Sequence, residues 1–221
     1  KVAFPVNVNA HRATYEIQFG NVERPTHSNT SWDLAKFEVC AQKWVDLSEG
    51  DHGVALLNDG KYGHDIKGNV MRLTLLRAPK APDPECDMGT HRFTYALMPH
   101  FGPYHYAGVV GSAYSLNAKT WAVPMENHDG ASIELPPFIT CEDRNIVVET
   151  VKKAENGSCI IVRLYEAHNA RGTAQLFSAL PIKAAHLCSL DEVPEAELEI
   201  IDGAIQFDYK PFEILTIALE M

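Results

Sequence analysis

Apolar and polar residues alternate along much of this chain with a period of two. Tyr15, Ile17 and Phe19 are separated by Glu16 and Gln18. Phe37, Val39 and Ala41 are separated by Glu38 and Cys40, and Phe93, Tyr95 and Leu97 by Thr94 and Ala96. Near the end, Ile205, Phe207 and Tyr209 are separated by Gln206 and Asp208. Successive side chains of a strand point to opposite faces, so the pattern predicts strands with one face turned to a core. No stretch carries a convincing helical period. The best of them, Asp191 to Glu199, contains Pro194, which cannot continue a helix interior.

Turn chemistry punctuates these runs. Asn156-Gly157 separates a β-rich run ending at Lys153 from one resuming at Cys159, and Asp202-Gly203 lies between Leu198-Ile200 and Ile205-Phe207. Both dipeptides tolerate the positive φ that tight hairpins require. Asn58-Asp59-Gly60 follows the run Val54 to Leu57 in the same way. Many short strands joined by such turns predict an all-β, antiparallel sandwich. A boundary is expected near Pro136-Pro137, after the polar, Gly-containing tract Asn127 to Ser132. It divides the chain into a unit over 1–138 with long loops and a compact unit over 139–221.

Composition narrows the function classes. Of the 221 residues 46% are hydrophobic and 22% charged, which suits a folded globular domain rather than a disordered one. The formal charge of −10 repels a phosphate backbone, and no basic stripe offsets it, so nucleic acid is not an expected partner. No apolar run reaches the ~20 residues of a membrane span, and no membrane partner is expected. Lys1 to Pro5 lacks both an initiator Met and an apolar signal core, and reads as a start inside a longer protein. Five cysteines without a C-x-x-C pair (Cys40, Cys86, Cys141, Cys159, Cys188) argue against a disulfide framework and a zinc knuckle. They point to a reducing, cytoplasmic setting.

Four segments carry candidate chemistry. In Arg24 to Asp33, the side chains of His27, Asn29 and Asp33 could hydrogen-bond a sugar while Trp32 stacks on it. The bland alternative is a turn-rich loop with Trp32 tucked into the core. In Gly53 to Asp65, a strand delivers a short loop with the amide of Asn58, the carboxylate of Asp59, the amine of Lys61, the phenol of Tyr62 and the imidazole of His64. Gly60 and Gly63 permit close approach there, and the alternative is a decorated hairpin. The acidic, proline-rich stretch Pro82 to Gly89 matches no calcium-loop spacing, and His91, His100 and His105 do not converge by strand alternation. No Gly-rich phosphate loop, G-x-S-x-G, H-E-x-x-H or paired acid signature is present, so no residue is assigned as catalytic or metal-binding.

Taken together, the blocks R-P-T-H-S-N-T-S-W-D-L-A-K-F-E-V (24–39), K-W-V-D-L-S-E (43–49), G-V-A-L-L-N-D-G-K-Y-G (53–63), L-L-R-A-P (75–79) and H-R-F-T-Y-A-L-M-P-H (91–100) resemble the C-terminal part of family 38 glycoside hydrolases. The branch they are most similar to holds the cytosolic, vacuolar and many bacterial α-mannosidases. V-K-K-A-E-N-G-S-C-I-I-V-R-L-Y-E-A (151–167) and R-G-T-A (171–174) are similar to that family's closing sandwich. The resemblance implies part of a galactose-mutarotase-like supersandwich followed by a small β-sandwich. It also implies a retaining exo-α-mannosidase acting on terminal mannosyl residues of glycans. Its nucleophile, acid/base group and zinc or cobalt ion would belong to an N-terminal catalytic domain absent from this sequence. No cofactor is expected in this chain. The implied partners are that catalytic domain, a mannose-containing glycan and, in the intact enzyme, further copies of itself. Asn58, Asp59, Lys61, Tyr62, Gly63 and His64, with His27, Asn29, Trp32 and Asp33, are the candidates for the border of the sugar cleft. Two other readings stay open: a free-standing carbohydrate-binding module, and a structural β domain that braces a catalytic partner.

Overall fold

A computed structural model describes residues 1–124 and 136–221; the polar tract Asn127 to Ser132, which precedes the boundary expected near Pro136-Pro137, lies outside the described residues. The chain forms two compact units, Lys1–Trp121 and Ala122–Met221. Strand accounts for 45% and helix for 7%, and every strand pairing among the described residues is antiparallel, so the all-β class inferred from the alternation holds.

The first unit runs β1 (Val2–Pro5), β2 (Arg12–Ile17), β3 (Gly20–Pro25), α1 (Ser31–Ala35), β4 (Val39–Cys40), β5 (Trp44–Ser48), β6 (His52–Asn58), β7 (Gly63–Lys67), β8 (Val70–Leu73), β9 (Tyr95–Phe101) and α2 (Val109–Asn117). A four-stranded sheet, β1-β8-β7-β4, faces a five-stranded one, β3-β2-β5-β6-β9. Ile66, Met71 and Leu73 from the first meet Tyr15, Val45, Leu47 and Leu56 from the second in one buried cluster. Removal of this apolar area from water is the main stabilising term. Helix α2 packs on β5 and β6 of the larger sheet and buries Val109, Val110 and Ala113. Strand β2 is itself buried on both faces, from Ala13 to Glu16. Tyr15 enters the core, while Glu16 is buried beside Lys43, at 2.6 Å, and burial holds its carboxyl above the ordinary range.

The second unit adds β10 (Ile139–Cys141), β11 (Ile146–Lys153), β12 (Ile160–Glu166), β13 (Gly172–Ser178), β14 (Ala184–Cys188), β15 (Pro194–Glu197), β16 (Ile200–Ile201), β17 (Ala204–Tyr209) and β18 (Ile214–Glu220). Sheets β10-β13-β17-β16 and β11-β12-β18-β14-β15 form a sandwich around Val162, Leu164, Leu176, Ile205, Phe207 and Ile217. Ile205, Phe207 and Tyr209 point inward, in agreement with their alternation. Asp202 and Gly203 both take positive φ, 51° and 83°, and join β16 to β17 in a tight hairpin.

Other expectations are corrected. Phe19 is not a strand residue; it occupies the β2–β3 turn at φ 54°. Phe37 lies outside β4 and is exposed. The expectation that Pro194 bars a helix around Asp191 stands, for Pro194 opens strand β15. In β9 the alternation is real but reversed. Tyr95, Leu97, Pro99 and Phe101 take the exposed side, while Ala96, Met98 and His100 turn toward the α2 face. The cause is position. Register puts Leu97 beside core residue Leu56, but β9 is an edge strand, and the opposing sheet reaches it through Phe4, whose ring lies 5.8 Å from Tyr95.

Candidate functional site

The two segments singled out in the sequence meet through strand pairing. Helix α1 leads into β4, and β4 pairs with the start of β7, setting Val39 opposite His64 and Cys40 opposite Gly63. His27 and Asp33 line a pocket together with Asp65, Ile66 and Lys67, the residues that directly follow Gly63 and His64.

The Asn58–His64 loop is a mixture of buried supports and exposed tips. Asn58 is fully buried. Its Oδ1 accepts the N–H groups of Gly60 (3.0 Å) and Lys61 (2.6 Å), forming a turn closed by its own side chain, and its Nδ2 donates to the Gln42 carbonyl at 2.8 Å. His64 is fully buried too, with Nε2 3.4 Å from Asn58 Nδ2 and Nδ1 beside the Tyr62 main chain without a well-formed hydrogen bond. Burial lowers its pKa to about 4, so the ring is neutral. These two residues hold the loop from within.

Asp59, Gly60 and Tyr62 are exposed at the tip. Asp59 Oδ1 accepts the Thr94 N–H at 2.7 Å, and Lys61 Nζ lies 4.6 Å from the Phe93 ring centroid. Gly60 supplies a backbone at φ 137° that side-chain-bearing residues rarely adopt. At Gly63 a Cβ would lie 2.8 Å from Glu38 Oε1, so the close approach made there is by Glu38.

Around 27–33, the carboxylate of Asp33 closes a capping box on α1. It accepts from the N–H groups of Asn29 (3.2 Å) and Thr30 (3.1 Å), while Thr30 Oγ1 accepts from Asp33 N–H at 3.1 Å. The Thr30 side-chain bond, chiefly, keeps the Asp33 pKa low. His27 Nδ1 stands 3.9 Å from Asp33 Oδ2. Trp32 does not tuck into the core: it is 79% exposed, with Leu34 and Phe37 exposed nearby in sequence.

Beside both segments lies a charged network that the motif reading overlooked. Lys1 Nζ bridges Glu38 (2.6 Å) and Asp65 (2.9 Å), Arg72 Nη1 meets Asp65 at 2.7 Å, and Glu38 takes a short bond from Thr74 Oγ1. The Lys1 bond, chiefly, holds the Glu38 carboxyl below its ordinary range. Its sequence signal was the Gly68-Asn69 hairpin, whose two-residue turn fixes Asp65 opposite Arg72.

On the other face of the larger sheet, Asp46 Oδ2 lies 2.7 Å from His100 Nε2, and Ser48 Oγ donates to Asp46 Oδ1 at 2.5 Å. His100 Nδ1 is 3.0 Å from the Gly102 carbonyl, which accepts only, so both ring nitrogens donate and the ring is an imidazolium. The Asp46 bond is the largest reason its pKa is raised.

Among the described residues, Glu49, Asp51 and His52 bring three possible metal ligands within 4.8 Å of one another. Both nitrogens of His52 are engaged, Nδ1 with Asp51 Oδ1 at 2.8 Å and Nε2 with the Asn7 carbonyl at 2.9 Å. The ring keeps no lone pair for an ion, and the group does not fit a resident metal.

Comparison with known proteins agrees with this architecture. Residues 1–85 match the model of the glycosyl hydrolases family 38 C-terminal domain, and residues 145–217 match that of the family 38 C-terminal β-sandwich domain. The chain belongs to glycoside hydrolase family 38, as its C-terminal part. It is similar to alpha-mannosidase 2C1 of Homo sapiens and of Mus musculus, at 46% and 45% identity over 99% of the chain. It is also 44% identical to alpha-mannosidase G of Dictyostelium discoideum over 95% of the chain. The chain spans about a fifth of the length of these relatives (20–21%). The crystal structure of an alpha-mannosidase from Enterococcus faecalis V583 superposes with a TM-score of 0.80 at 21% identity, covering 99% of this chain and 25% of that one, which bears on fold alone.

Proposed function

We propose that this chain is the non-catalytic C-terminal portion of a retaining exo-α-mannosidase that removes terminal α-mannosyl residues from glycans. On this reading it braces the catalytic domain and contributes the exposed tip of the Asn58–His64 loop to the rim of the sugar cleft. The observation that supports this most is the ordered pair of family 38 C-terminal matches in a chain one fifth as long as its α-mannosidase relatives. A retaining glycosidase needs two carboxyl groups about 5–5.5 Å apart, one free to attack the sugar. The carboxylates around the candidate site are otherwise occupied: Asp33 in a helix cap, Asp59 by Thr94, Asp65 between two cations, Glu38 by Lys1 and Thr74. The zinc or cobalt ion that the resemblance implies therefore belongs, on this reading, to the remainder of the protein, as do the nucleophile and the acid. The same holds for the glycan specificity and for any homo-oligomer.

Tyr62 and Asp59 test the cleft assignment. In the full-length enzyme, Tyr62→Phe is expected to lower kcat/KM at least about tenfold, equivalent to roughly 1.4 kcal/mol, with an unchanged melting temperature. Asp59→Asn is the matching carboxylate variant, because it keeps an acceptor for Thr94 that Asp59→Ala would remove. Unaltered kinetics in both would leave the loop as a hairpin tip. Exposed Trp32 gives some weight to the carbohydrate-binding-module reading. That reading requires the 221-residue chain to bind mannose unaided, with Trp32→Ala abolishing the binding.

A further inference from the structure

The pocket beside α1 has a charge imbalance that the mannosidase reading does not use. Arg24, Lys36 and Lys67 line it, together with His27, Asp33 and Asp65. Among the described residues, the side chains of Arg24, Lys36 and Lys67 make no ion pair. Arg24 rests on the Tyr15 ring, 5.7 Å from its centroid, and its buried Nε has no hydrogen-bond partner. The two carboxylates in the wall are already spoken for. Asp33 accepts two main-chain N–H groups of the helix cap, and Asp65 lies between Lys1 and Arg72. Three cationic side chains without an ion-pair partner among the described residues therefore converge on one concavity in a chain whose net charge is −10. A half-buried guanidinium without an anionic partner is costly, and an oxyanion accepting from the guanidinium fork would supply one.

The geometry points to a binding site for a small oxyanion, the phosphate class, with Arg24 as the central ligand and Lys36 and Lys67 as flanking charges. A guanidinium presents a rigid fork of donors that matches phosphate oxygens, and the two ammonium groups add field without fixing direction. His27 also lines an adjoining open groove with Asn7, Asn9 and Asn69, a set of amides suited to hydroxyl groups. The oxyanion can therefore arrive as free inorganic phosphate or as a phosphate carried on a sugar. This inference stands apart from the mannosidase reading, since binding is measured on the protein itself without turnover.

The test is calorimetric titration at constant ionic strength, with chloride as the background anion, using inorganic phosphate and glucose 6-phosphate as probes. Saturable binding with Kd of about 1 mM or tighter is expected for at least one probe. The doubly substituted Lys36→Gln/Lys67→Gln protein should bind at least about tenfold more weakly. Lys36 is exposed and Lys67 half-buried, and an unchanged melting temperature would verify the fold. Arg24→Lys, which keeps the charge and loses the fork, should also weaken binding. Tighter binding of glucose 6-phosphate than of phosphate identifies a sugar-borne oxyanion, and equal binding identifies the free ion. Absence of saturation with both probes, or affinity unaltered in both variants, overturns the proposal.

Discussion

Two buried imidazoles in the first unit have opposite protonation requirements, and stability should record both. His64 is held neutral, with a folded pKa near 4 against an ordinary 6.5. Unfolding at acid pH lets it take up a proton, so its contribution is complete above about pH 6.5 and is lost as pH falls toward 4. The total is on the order of 3 kcal/mol. Urea midpoints measured from pH 7 to 4 should fall, and His64→Phe should flatten that slope. His100 works in the other direction. Its pKa is raised through Asp46, so its contribution is complete below the ordinary value of 6.5 and disappears as pH rises through the folded value. The ring resonances of His100 should therefore titrate above pH 6.5, and Asp46→Asn should bring that titration down. Neither role was legible in the sequence. His64 stood among candidate sugar ligands, and His100 among scattered histidines, because burial at these positions depends on which strands later cover them. Asp59 and Tyr62 were placed at an exposed tip by local turn chemistry alone, which the sequence does carry.

At the scale of elements, close approach decides what is tolerated. A Cβ on Gly53 of β6 would stand 2.3 Å from Ser48 Oγ and 2.7 Å from His100 Cε1, so a side chain there would push the Asp46–His100 pair apart. Gly53→Ala is expected to cost about 2–3 kcal/mol, read from chemical denaturation, with Gly60→Ala costing less because nothing lies within 4 Å of it beyond its own φ. In the second unit, fully buried Glu166 accepts the N–H groups of His168, Asn169 and Phe212 and so ties the end of β12 to two connecting segments. Glu166→Ala should destabilise that unit by roughly 3–5 kcal/mol. Hairpins with Asn-Gly or Asp-Gly were legible from their residues. Helix α2 was not, because Val109, Val110 and Gly111 are poor helix formers and its place is set by packing on β5 and β6. The β2–β3 turn was missed because Gln18-Phe19 is not a turn dipeptide, and Phe19 accepts a left-handed backbone without glycine's freedom.

For the whole molecule, the family and the all-β class were legible because many ordered blocks and one dominant period extend over nearly the full length. The direction of the β9 face was not, since alternation states that two faces differ and leaves open which one is covered. That face, with Phe101 92% exposed, gives the bracing proposal a direct measurement. If the remainder of the enzyme rests there, Phe101→Asp should lower the melting temperature of the full-length protein by several degrees. In the 221-residue chain it should change little, because Phe101 touches little within it.

Strand β9 has one more property. Among the described residues it borders its sheet on one side alone, so its outer rim could recruit a strand from a neighbouring molecule, and its exposed aliphatic and aromatic residues would reward such recruitment. Pro99 stands in the middle of that rim. Having no amide hydrogen, it breaks the row of donors on which an incoming strand would have to lock. On that ground this one imino acid is expected to hinder edge-to-edge association. A Pro99→Val chain should fold as before and then cloud on standing, in proportion to its concentration.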